Sequence, residues 1–139
     1  MKRYLDVTQE AGAAFFRRGI EGEVVMLNLL RFREVADYAD FPELAPAEPI
    51  SGRAAYELYM AHTAPFLAAS GGEVLFLGEG GQLLIGPSEA VWDMVLLVKQ
   101  RSVADFMAFA NDEAYLAGMG HRTAALLDSR LLPMVALSD

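Results

Sequence analysis

The two histidines of this 139-residue chain are its clearest candidates for acid–base chemistry. Histidine is the side chain whose ordinary pKa lies nearest neutral pH, so it can both accept and release a proton there. His121 follows a glycine-interrupted helix end, where polar groups can face a cleft, and His62 lies on the apolar stripe of a predicted helix beside Tyr59. We therefore predict His121, and then His62, as catalytic residues.

Each histidine also has a purely structural interpretation. A histidine on the apolar face of a helix, such as His62, is usually a hydrogen-bonded core residue. His121 lies seven residues before Asp128, and the two would share a face if the predicted helix continued. A structural contact between this histidine and the aspartate is then the competing account, and the sequence leaves both interpretations open.

A second group of polar and aromatic residues could position a substrate. Asn28 lies within an apolar strand, where an unpaired amide costs about 1–3 kcal/mol, so it either binds a ligand or satisfies a neighbouring backbone group. Arginines suit anionic ligands, although those near this strand could equally pair with Asp93 and Glu57. Tryptophan and phenylalanine are more often part of a core than of a ligand site. The predicted substrate-binding residues are Asn28, Arg31, Arg53, Tyr59, Trp92 and Arg122.

The sequence lacks the common signatures of nucleophilic and metal-dependent catalysis. It has no cysteine, which excludes a thiol nucleophile and a zinc–thiolate site. It also has no glycine-rich phosphate loop, no HExxH motif and no Gly-x-Ser-x-Gly motif. Two histidines among scattered carboxylates do not make a dedicated metal site. We therefore expect no metal and no tightly bound cofactor.

The composition predicts a soluble protein that associates with a second copy of itself. Hydrophobic residues make up 54% of the chain and the mean hydropathy is +0.26. No apolar run reaches the roughly 18 residues that a membrane span needs, so the surplus apolar surface suits a homodimer interface. The net charge of −8 argues against nucleic-acid binding, which needs a concentrated basic surface. The absence of cysteine fits a cytoplasmic location.

The first half of the chain contains the most clearly patterned elements. Residues 8–18 are amphipathic and Thr8 can cap them, which predicts a helix. The run Val24–Arg33 is apolar apart from one asparagine and its closing arginines, which is typical of a central strand buried on both faces. Residues 34–50 contain three prolines and no periodicity, which indicates a long ordered loop or a mobile flap.

The second half alternates strands and helices. Ser51 is predicted to cap a helix that ends near Ala69, with a kink or restart before Pro65. Gly80 and Gly81 give a hairpin-turn signal between two short apolar runs. The remaining predicted elements are strands at 73–78, 83–85 and 91–99, helices at 102–110, 111–119 and 121–127, and a last strand at 131–137.

After the N-terminal helix, the predicted order is β-α-β(β)-β-α-β, which is the split β-α-β arrangement of ferredoxin-like folds. We therefore predict a single α+β domain over residues 1–139, a ferredoxin-like split β-α-β sandwich with an extra N-terminal helix. Helices cover one face of such a sheet. A second copy would cover the other face and so form a dimeric α/β barrel.

Several short segments between about residues 22 and 134 form a specific joint pattern. This pattern resembles a small bacterial family of unknown function within the dimeric α/β-barrel superfamily, and the resemblance implies the fold and the homodimer but no particular activity. The segments are Val24–Arg33, Ser51-Gly52-Arg53, Leu84-Ile85-Gly86-Pro87, Trp92-Asp93, residues 121–126 and residues 128–131.

The wider superfamily includes cofactor-independent quinone monooxygenases, haem-degrading monooxygenases, haem peroxidases, muconolactone isomerases and amino-acid-sensing domains. The haem degraders resemble this chain in having Asn on the first strand, Trp on the third and His on the second helix, here Asn28, Trp92 and His121. His121 lies 29 residues after Trp92 and beyond a glycine break, so we expect no haem.

Two function classes follow from these observations. The first is a small-molecule enzyme that oxidises or isomerises an apolar carbonyl-bearing or phenolic compound. Its acid–base residue would be His121 or His62, with Asn28 and an arginine positioning the substrate between helices and sheet. The second is a non-catalytic ligand-binding or interaction protein on the same scaffold.

Overall fold

The computed structural model describes residues 2–137, which form one antiparallel sheet of four strands with helices packed on one face. The helices are α1 (Gln9–Arg17), α2 (Gly52–Ala69), α3 (Val103–Ala110), α4 (Glu113–Leu116) and α5 (Met119–Ala125), and the strands are β1 (Val24–Phe32), β2 (Glu73–Gln82), β3 (Val91–Gln100) and β4 (Leu126–Met134). The strand order is β2-β3-β1-β4, so the predicted ferredoxin-like α+β fold is confirmed. No helix within residues 2–137 is long and apolar enough to cross a membrane.

Capping side chains start the helices at the predicted residues. The hydroxyl oxygens of Thr8 and Ser51 accept hydrogen bonds from backbone N–H groups three residues later, in α1 and α2. Ser102 and Asp112 do the same for α3 and α4. Each such bond satisfies an otherwise unpaired donor and contributes about 1 kcal/mol. The helix α2 continues through Pro65, so the predicted restart does not occur.

The two central strands, β1 and β3, bury one face against the helices. Leu30 of β1 and Met94 and Leu96 of β3 pack with Ala55 and Tyr56 of α2. The predicted alternation of β3 is confirmed, because the side chains that flank Met94 two residues away on each side are also buried. This core fixes α2 over the sheet.

The opposite face of the sheet has no cover among residues 2–137. The register places Leu132, Leu27, Leu97 and Phe76, one from each strand, in a row across its middle. Leu132 and Phe76, at the two edges, are each 53% exposed. We call the surface around this row the open face. Strand β1 is therefore buried on one face and only half-buried on the other, where the sequence predicted burial on both.

The connection between β2 and β3 differs from the predicted hairpin. Strand β2 continues to Gln82, which pairs with Val91, so no turn forms at its glycines. Gly80 permits this continuation because a Cβ there would lie 2.3 Å from the carbonyl oxygen of Trp92. The predicted return strand at 83–85 is instead part of the connecting loop, and two of its side chains are almost fully exposed.

The last strand begins five residues earlier than predicted. Helix α5 ends at Ala125, and Leu126 already pairs with Phe32 of β1. Asp128 therefore lies on a strand and shares no helix face with His121. A short apolar run such as the one around Leu126 is compatible with either helix or buried strand, and here pairing with β1 decides for the strand.

Residues 34–50 form an ordered connection between β1 and α2, which we call the strap. It contains one turn of 3-10 helix at Pro42–Leu44. The N–H of Asp37 donates to the carbonyl of Ala124 at 2.9 Å, near the end of α5. A Cβ on Gly120 would lie 2.5 Å from a methyl carbon of Leu44, so this glycine lets the strap pack directly on α5.

Candidate functional site

The strap brings a tyrosine to one of the two candidate histidines. Tyr38 Oη lies 2.7 Å from Nδ1 of His121, and the two rings meet edge to face with their centroids 5.6 Å apart. Helix α5 carries His121, and the bond from Asp37 to α5 places the next residue of the strap beside it. Backbone contacts therefore hold both members of the pair in position.

Burial keeps both members of the Tyr38–His121 pair neutral near pH 7. It lowers the pKa of His121, and repulsion from the nearby imidazole of His62 lowers that pKa further. Burial likewise raises the pKa of Tyr38. A neutral imidazole has one donor and one acceptor nitrogen. When Nδ1 of His121 accepts, Tyr38 donates to it; when Nδ1 carries the proton, the hydroxyl hydrogen of Tyr38 is free to donate to a ligand oxygen.

Tyr38 also lines a groove within the strap, which we call the strap groove. Its volume is about 350 Å³, within the range of small-molecule sites in proteins. Mostly apolar walls with a few polar groups are the usual composition of such sites, and here the polar side chains are Tyr38 and Glu48. The other lining residues are Val35, Ala36, Ala45, Pro46, Ala47, Glu48, Pro49 and Ile50.

A second groove lies between the end of α1 and the start of α3. It has a volume of about 470 Å³, and the residues that line it are Phe16, Gly19, Ile20, Val103, Ala104 and Met107. None of these side chains is polar, and none belongs to the predicted site. This groove therefore offers no group that could orient a ligand or transfer a proton.

The side chain of His62 is hydrogen-bonded to the protein backbone. Its Nε2 lies 2.8 Å from the carbonyl oxygen of Ala114 and 3.2 Å from that of Tyr115. Because carbonyls only accept hydrogen bonds, Nε2 carries the proton and donates to both. A Cβ on Gly118 would lie 2.2 Å from Cδ2 of His62, so the ring is also tightly packed. The structure therefore places this histidine as a link between α2 and α4, away from both grooves.

Tyr59 belongs to an aromatic cluster inside the helical layer. Its hydroxyl lies 2.7 Å from that of Tyr115, which donates to the sulfur of Met119 at 3.1 Å. One of the two hydroxyls donates to the other, so the two phenols satisfy each other within the cluster. Burial, followed by the proximity of Tyr59, raises the pKa of both Tyr56 and Tyr115. The cluster keeps these phenols protonated and bonded to one another.

Three other predicted binding residues contact other groups of the protein. The side-chain amide of Asn28 donates at 3.2 Å to the carbonyl two residues earlier in its own strand. Arg31 donates to the backbone carbonyl of Glu89 at 3.3 Å. The guanidinium of Arg53 lies 5.3 Å from the ring centroid of Phe32. None of these residues lines the strap groove.

The competing expectation that these arginines pair with carboxylates is wrong. Asp93 accepts the backbone N–H of Phe32 at 2.8 Å instead. None of the ion pairs within residues 2–137 involves Arg31, Arg53 or Glu57. The carboxylate is used to close the end of β1, because that strand leaves the sheet there and its N–H needs a partner.

The last two predicted binding residues lie beside the N-terminal segment. Arg122 donates to the backbone carbonyl of Leu5 at 2.7 Å. Trp92 is buried, with the guanidinium of Arg130 at 5.1 Å from its ring centroid. The predicted contact between His121 and Asp128 does not form, because the aspartate lies on β4. The structure therefore separates the predicted site residues into several clusters, and only His121 is connected to a groove, through its hydrogen bond with Tyr38.

Tyr38 was not predicted from the sequence. It lies in a proline-rich loop without periodicity, where no pattern indicates which side chains face inward. The available signal was chemical: it is a large hydroxyl-bearing aromatic among small and acidic residues. Its partner lies 83 residues away in the chain, so only the fold shows that the two meet.

One bacterial protein, solved in two forms, is similar over nearly the whole chain. RPA0582 from Rhodopseudomonas palustris, described as a protein of unknown function, is 33% identical, with 99% of this chain and 100% of that chain covered and a TM-score of 0.84. The methylated RPA0582 protein is 35% identical, with 99% and 98% covered and a TM-score of 0.87. The chain belongs to the RPA0582 family. Membership confirms the predicted resemblance to a bacterial family of unknown function, and it assigns no reaction.

More distant structural neighbours of this RPA0582-family member share little sequence with it. A protein from Mesorhizobium loti, described as a DABB family protein with a ferredoxin-like fold, is 11% identical, with 85% of this chain and 100% of that chain covered and a TM-score of 0.48. No protein-family model matches this chain, and no curated protein matches it.

Proposed function

We propose that the protein is a homodimer that binds a small apolar compound bearing a carbonyl or phenolic oxygen in the strap groove. The observation that carries this proposal is the Tyr38–His121 hydrogen bond at the margin of an apolar groove. The dimer forms through the open face, and the tyrosine hydroxyl binds the ligand oxygen.

The open face supports the homodimer. Its middle is apolar across all four strands, and its charged residues stand at the two ends. At one end Lys99 pairs with Glu73 at 3.3 Å, and at the other Arg31 lies opposite Asp128. An apolar centre with a charged rim is the usual anatomy of a homodimer interface. A second copy would bury the row that the helices leave uncovered.

Light scattering with two leucine variants tests the dimer. The unaltered protein should give twice the chain mass of 15.1 kDa at micromolar concentration. Leu132→Glu should give a monomer, because it places a charge on the open face at a residue that is already half exposed in one protomer. Leu137→Glu is the matched control, since Leu137 is 97% exposed and lies beyond the end of β4, and it should stay dimeric. A monomeric unaltered protein would contradict the proposal.

The strap groove supports the ligand class. Its lining is apolar except for Tyr38 and Glu48 and contains no cation, so an anionic ligand would lose hydration without finding a partner. The Tyr38–His121 pair is neutral, and it can donate to or accept from a single neutral oxygen. A ketone, quinone or phenol attached to an apolar ring system meets both conditions.

Amide chemical shifts measured with 1-tetralone, an apolar aromatic ketone, test this location. The largest shifts should fall on strap residues such as Val35, Ala47 and Ile50. Shifts centred on Ile20 and Val103 would place the ketone in the groove between α1 and α3 instead. Either that result or the absence of shifts at millimolar ketone would refute the proposed site.

The same pair could also perform chemistry on the bound compound. Neutral His121 can take a proton through Tyr38, which is the requirement for acid–base catalysis of an isomerisation or a cofactor-independent oxygenation. The alternative function is non-catalytic binding. It is favoured by the observation that both histidines are bonded to protein groups, which is how structural histidines are usually found.

A further inference from the structure

Three side chains of the C-terminal half form hydrogen bonds with the backbone of two consecutive residues near the N-terminus. The N–H of Tyr4 donates to Oδ1 of Asp128 at 2.8 Å, and the carbonyl of Tyr4 accepts from the hydroxyl of Ser129 at 2.6 Å. The carbonyl of Leu5 accepts from Arg122 at 2.7 Å. We call residues 2–5 the arm.

The ring of Tyr4 is held as well as its backbone. The guanidinium of Arg130 lies 4.8 Å from the centroid of the Tyr4 ring and 5.1 Å from that of Trp92. Arg130 also donates to Asp128 at 2.7 Å, which fixes the cation between the two rings. Cations that face aromatic rings at this distance attract them, more strongly at the buried Trp92 ring than at the Tyr4 ring, since Tyr4 is 45% exposed.

Three of the five groups around the arm are buried: Asp128 is 4% exposed, Ser129 6% and Trp92 7%. The side chain of Arg130 is 39% exposed. Burial alone would raise the pKa of Asp128, but hydrogen bonds from Tyr4 N–H, Arg130 and Ser129 N–H together lower it. The carboxylate therefore stays charged, and without the arm it would lose one of its donors.

The arm is not simply one more strand at the edge of the sheet. Strand β4 is an edge strand, and such edges are often covered by a neighbouring segment. Within residues 2–137, however, no backbone–backbone hydrogen bond joins the arm to β4. The arm is recognised by side chains: a carboxylate for its N–H, a hydroxyl and a guanidinium for its carbonyls, and a cation for its ring. These side chains could pair in the same way with the N–H and carbonyl groups of an amide from another molecule.

We propose that Trp92, Arg122, Asp128, Ser129 and Arg130 form a second ligand site, which the arm of the same chain occupies. When the arm withdraws, this site takes a compound with an aromatic ring next to an amide, such as a short peptide with an aromatic residue. The site is separate from the strap groove, so it stands or falls independently of the function proposed there.

The chain offers an internal reporter for the test. Trp92 is the sole tryptophan and lies in the proposed site, so its fluorescence should respond to occupancy. The protein is compared with a truncated chain that lacks residues 1–5. The probe is the acetylated and amidated peptide Arg-Tyr-Leu-Asp, which has the sequence of residues 3–6. One control peptide has alanine in place of tyrosine, and another carries a methyl group on the tyrosine nitrogen.

The truncated chain should bind the tyrosine peptide saturably, with a change in Trp92 fluorescence. The N-methyl peptide should bind at least about tenfold more weakly, because it lacks the hydrogen bond to a charged carboxylate. The intact chain should bind the tyrosine peptide more weakly than the truncated chain, because its own arm competes at a high effective concentration. A folded truncated chain that ignores the peptide, or equal binding by both chains, would overturn the proposal.

Hydrogen exchange on the intact chain gives a second measurement that does not need the truncation to fold. If the arm withdraws while the protein stays folded, the amide of Tyr4 should exchange much faster than those of Val24 and Leu30 in β1. Protection of Tyr4 equal to that of β1 would mean that the arm leaves only on global unfolding. That result would refute the proposal whatever the truncated chain does.

Discussion

The two histidine contacts of this protein use the same side chain in opposite ways. At the contact between α2 and α4, His62 donates to two backbone carbonyls and its ring is packed against glycine. At the contact between the strap and α5, His121 meets the hydroxyl of Tyr38 at the margin of a groove.

The difference lies in what each partner allows. Carbonyl oxygens only accept, so they fix the proton on Nε2 of His62 and leave that nitrogen no role in proton transfer. A hydroxyl both donates and accepts, so the proton between Tyr38 and His121 can sit on either side. A histidine therefore becomes a candidate for function through its partner, and the two contacts should respond differently to substitution.

The largest difference is expected in turnover, if the strap groove is catalytic. His121→Gln removes the titrating group and should lower turnover of a substrate identified by screening by at least ~100-fold, the lower end of what acid–base catalysis contributes. His62→Gln is the matched control, since its amide can still donate to a carbonyl, and it should change turnover only a few-fold. If the protein only binds, both variants should leave affinity within a few-fold. Equal large losses of turnover would remove the distinction.

The next difference is expected in stability, where substitution at the His62 contact should cost more than substitution at the Tyr38–His121 contact. His62→Leu removes the side-chain donor of the Ala114 carbonyl, whereas the Tyr115 carbonyl keeps the N–H of Gly118. We expect a cost of about 1–3 kcal/mol of unfolding free energy. Tyr38→Phe removes one neutral hydrogen bond and should cost about 0.5–1.5 kcal/mol. Urea denaturation of both variants measures the two values. A larger loss at Tyr38 than at His62 would show that the strap contact is the more structural of the two.

The smallest difference is expected in the pH dependence of stability. Burial lowers the pKa of folded His121, so as pH falls the unfolded chain takes up its proton first. The stability that neutral His121 contributes is therefore fully present above the unfolded-state pKa of about 6.5. It is lost as pH falls from that value toward the lower pKa of the folded state. His121→Gln should flatten the slope of unfolding free energy against pH between about 7 and 5. Identical slopes in the two proteins would show that burial does not perturb this histidine.

Local patterns predicted most of the fold. Cap residues such as Thr8 and Ser51 act within their own helix, and the alternation along β3 is visible in eight or ten residues. The start of β4 at Leu126 was missed because an apolar run suits helix and strand alike, and pairing with β1 decides between them. The prediction of element bounds therefore failed where pairing with a distant segment decides between helix and strand.

The candidate site was predictable only by residue type. His121 was selected first because an imidazole titrates near neutral pH and a glycine-interrupted helix end can face a cleft, and the same chemistry selected His62 second. What separates them is the partner, and the partners lie 83 and 52 residues away in the chain. Hydrophobic periodicity does not show which distant residues become hydrogen-bond partners. The proline-rich strap that contains Tyr38 has no periodicity at all.

The proposed site depends above all on the Tyr38 hydroxyl, which is bonded to His121 and would bind a ligand oxygen in the strap groove. Calorimetric affinities of 1-tetralone and of tetralin, which lacks the oxygen, test it in the unaltered protein and in Tyr38→Phe. The unaltered protein should prefer the ketone by about 2- to 10-fold, the worth of one neutral hydrogen bond, and Tyr38→Phe should lose that preference while keeping its affinity for tetralin. A preference for the ketone that survives Tyr38→Phe unchanged would contradict the claim.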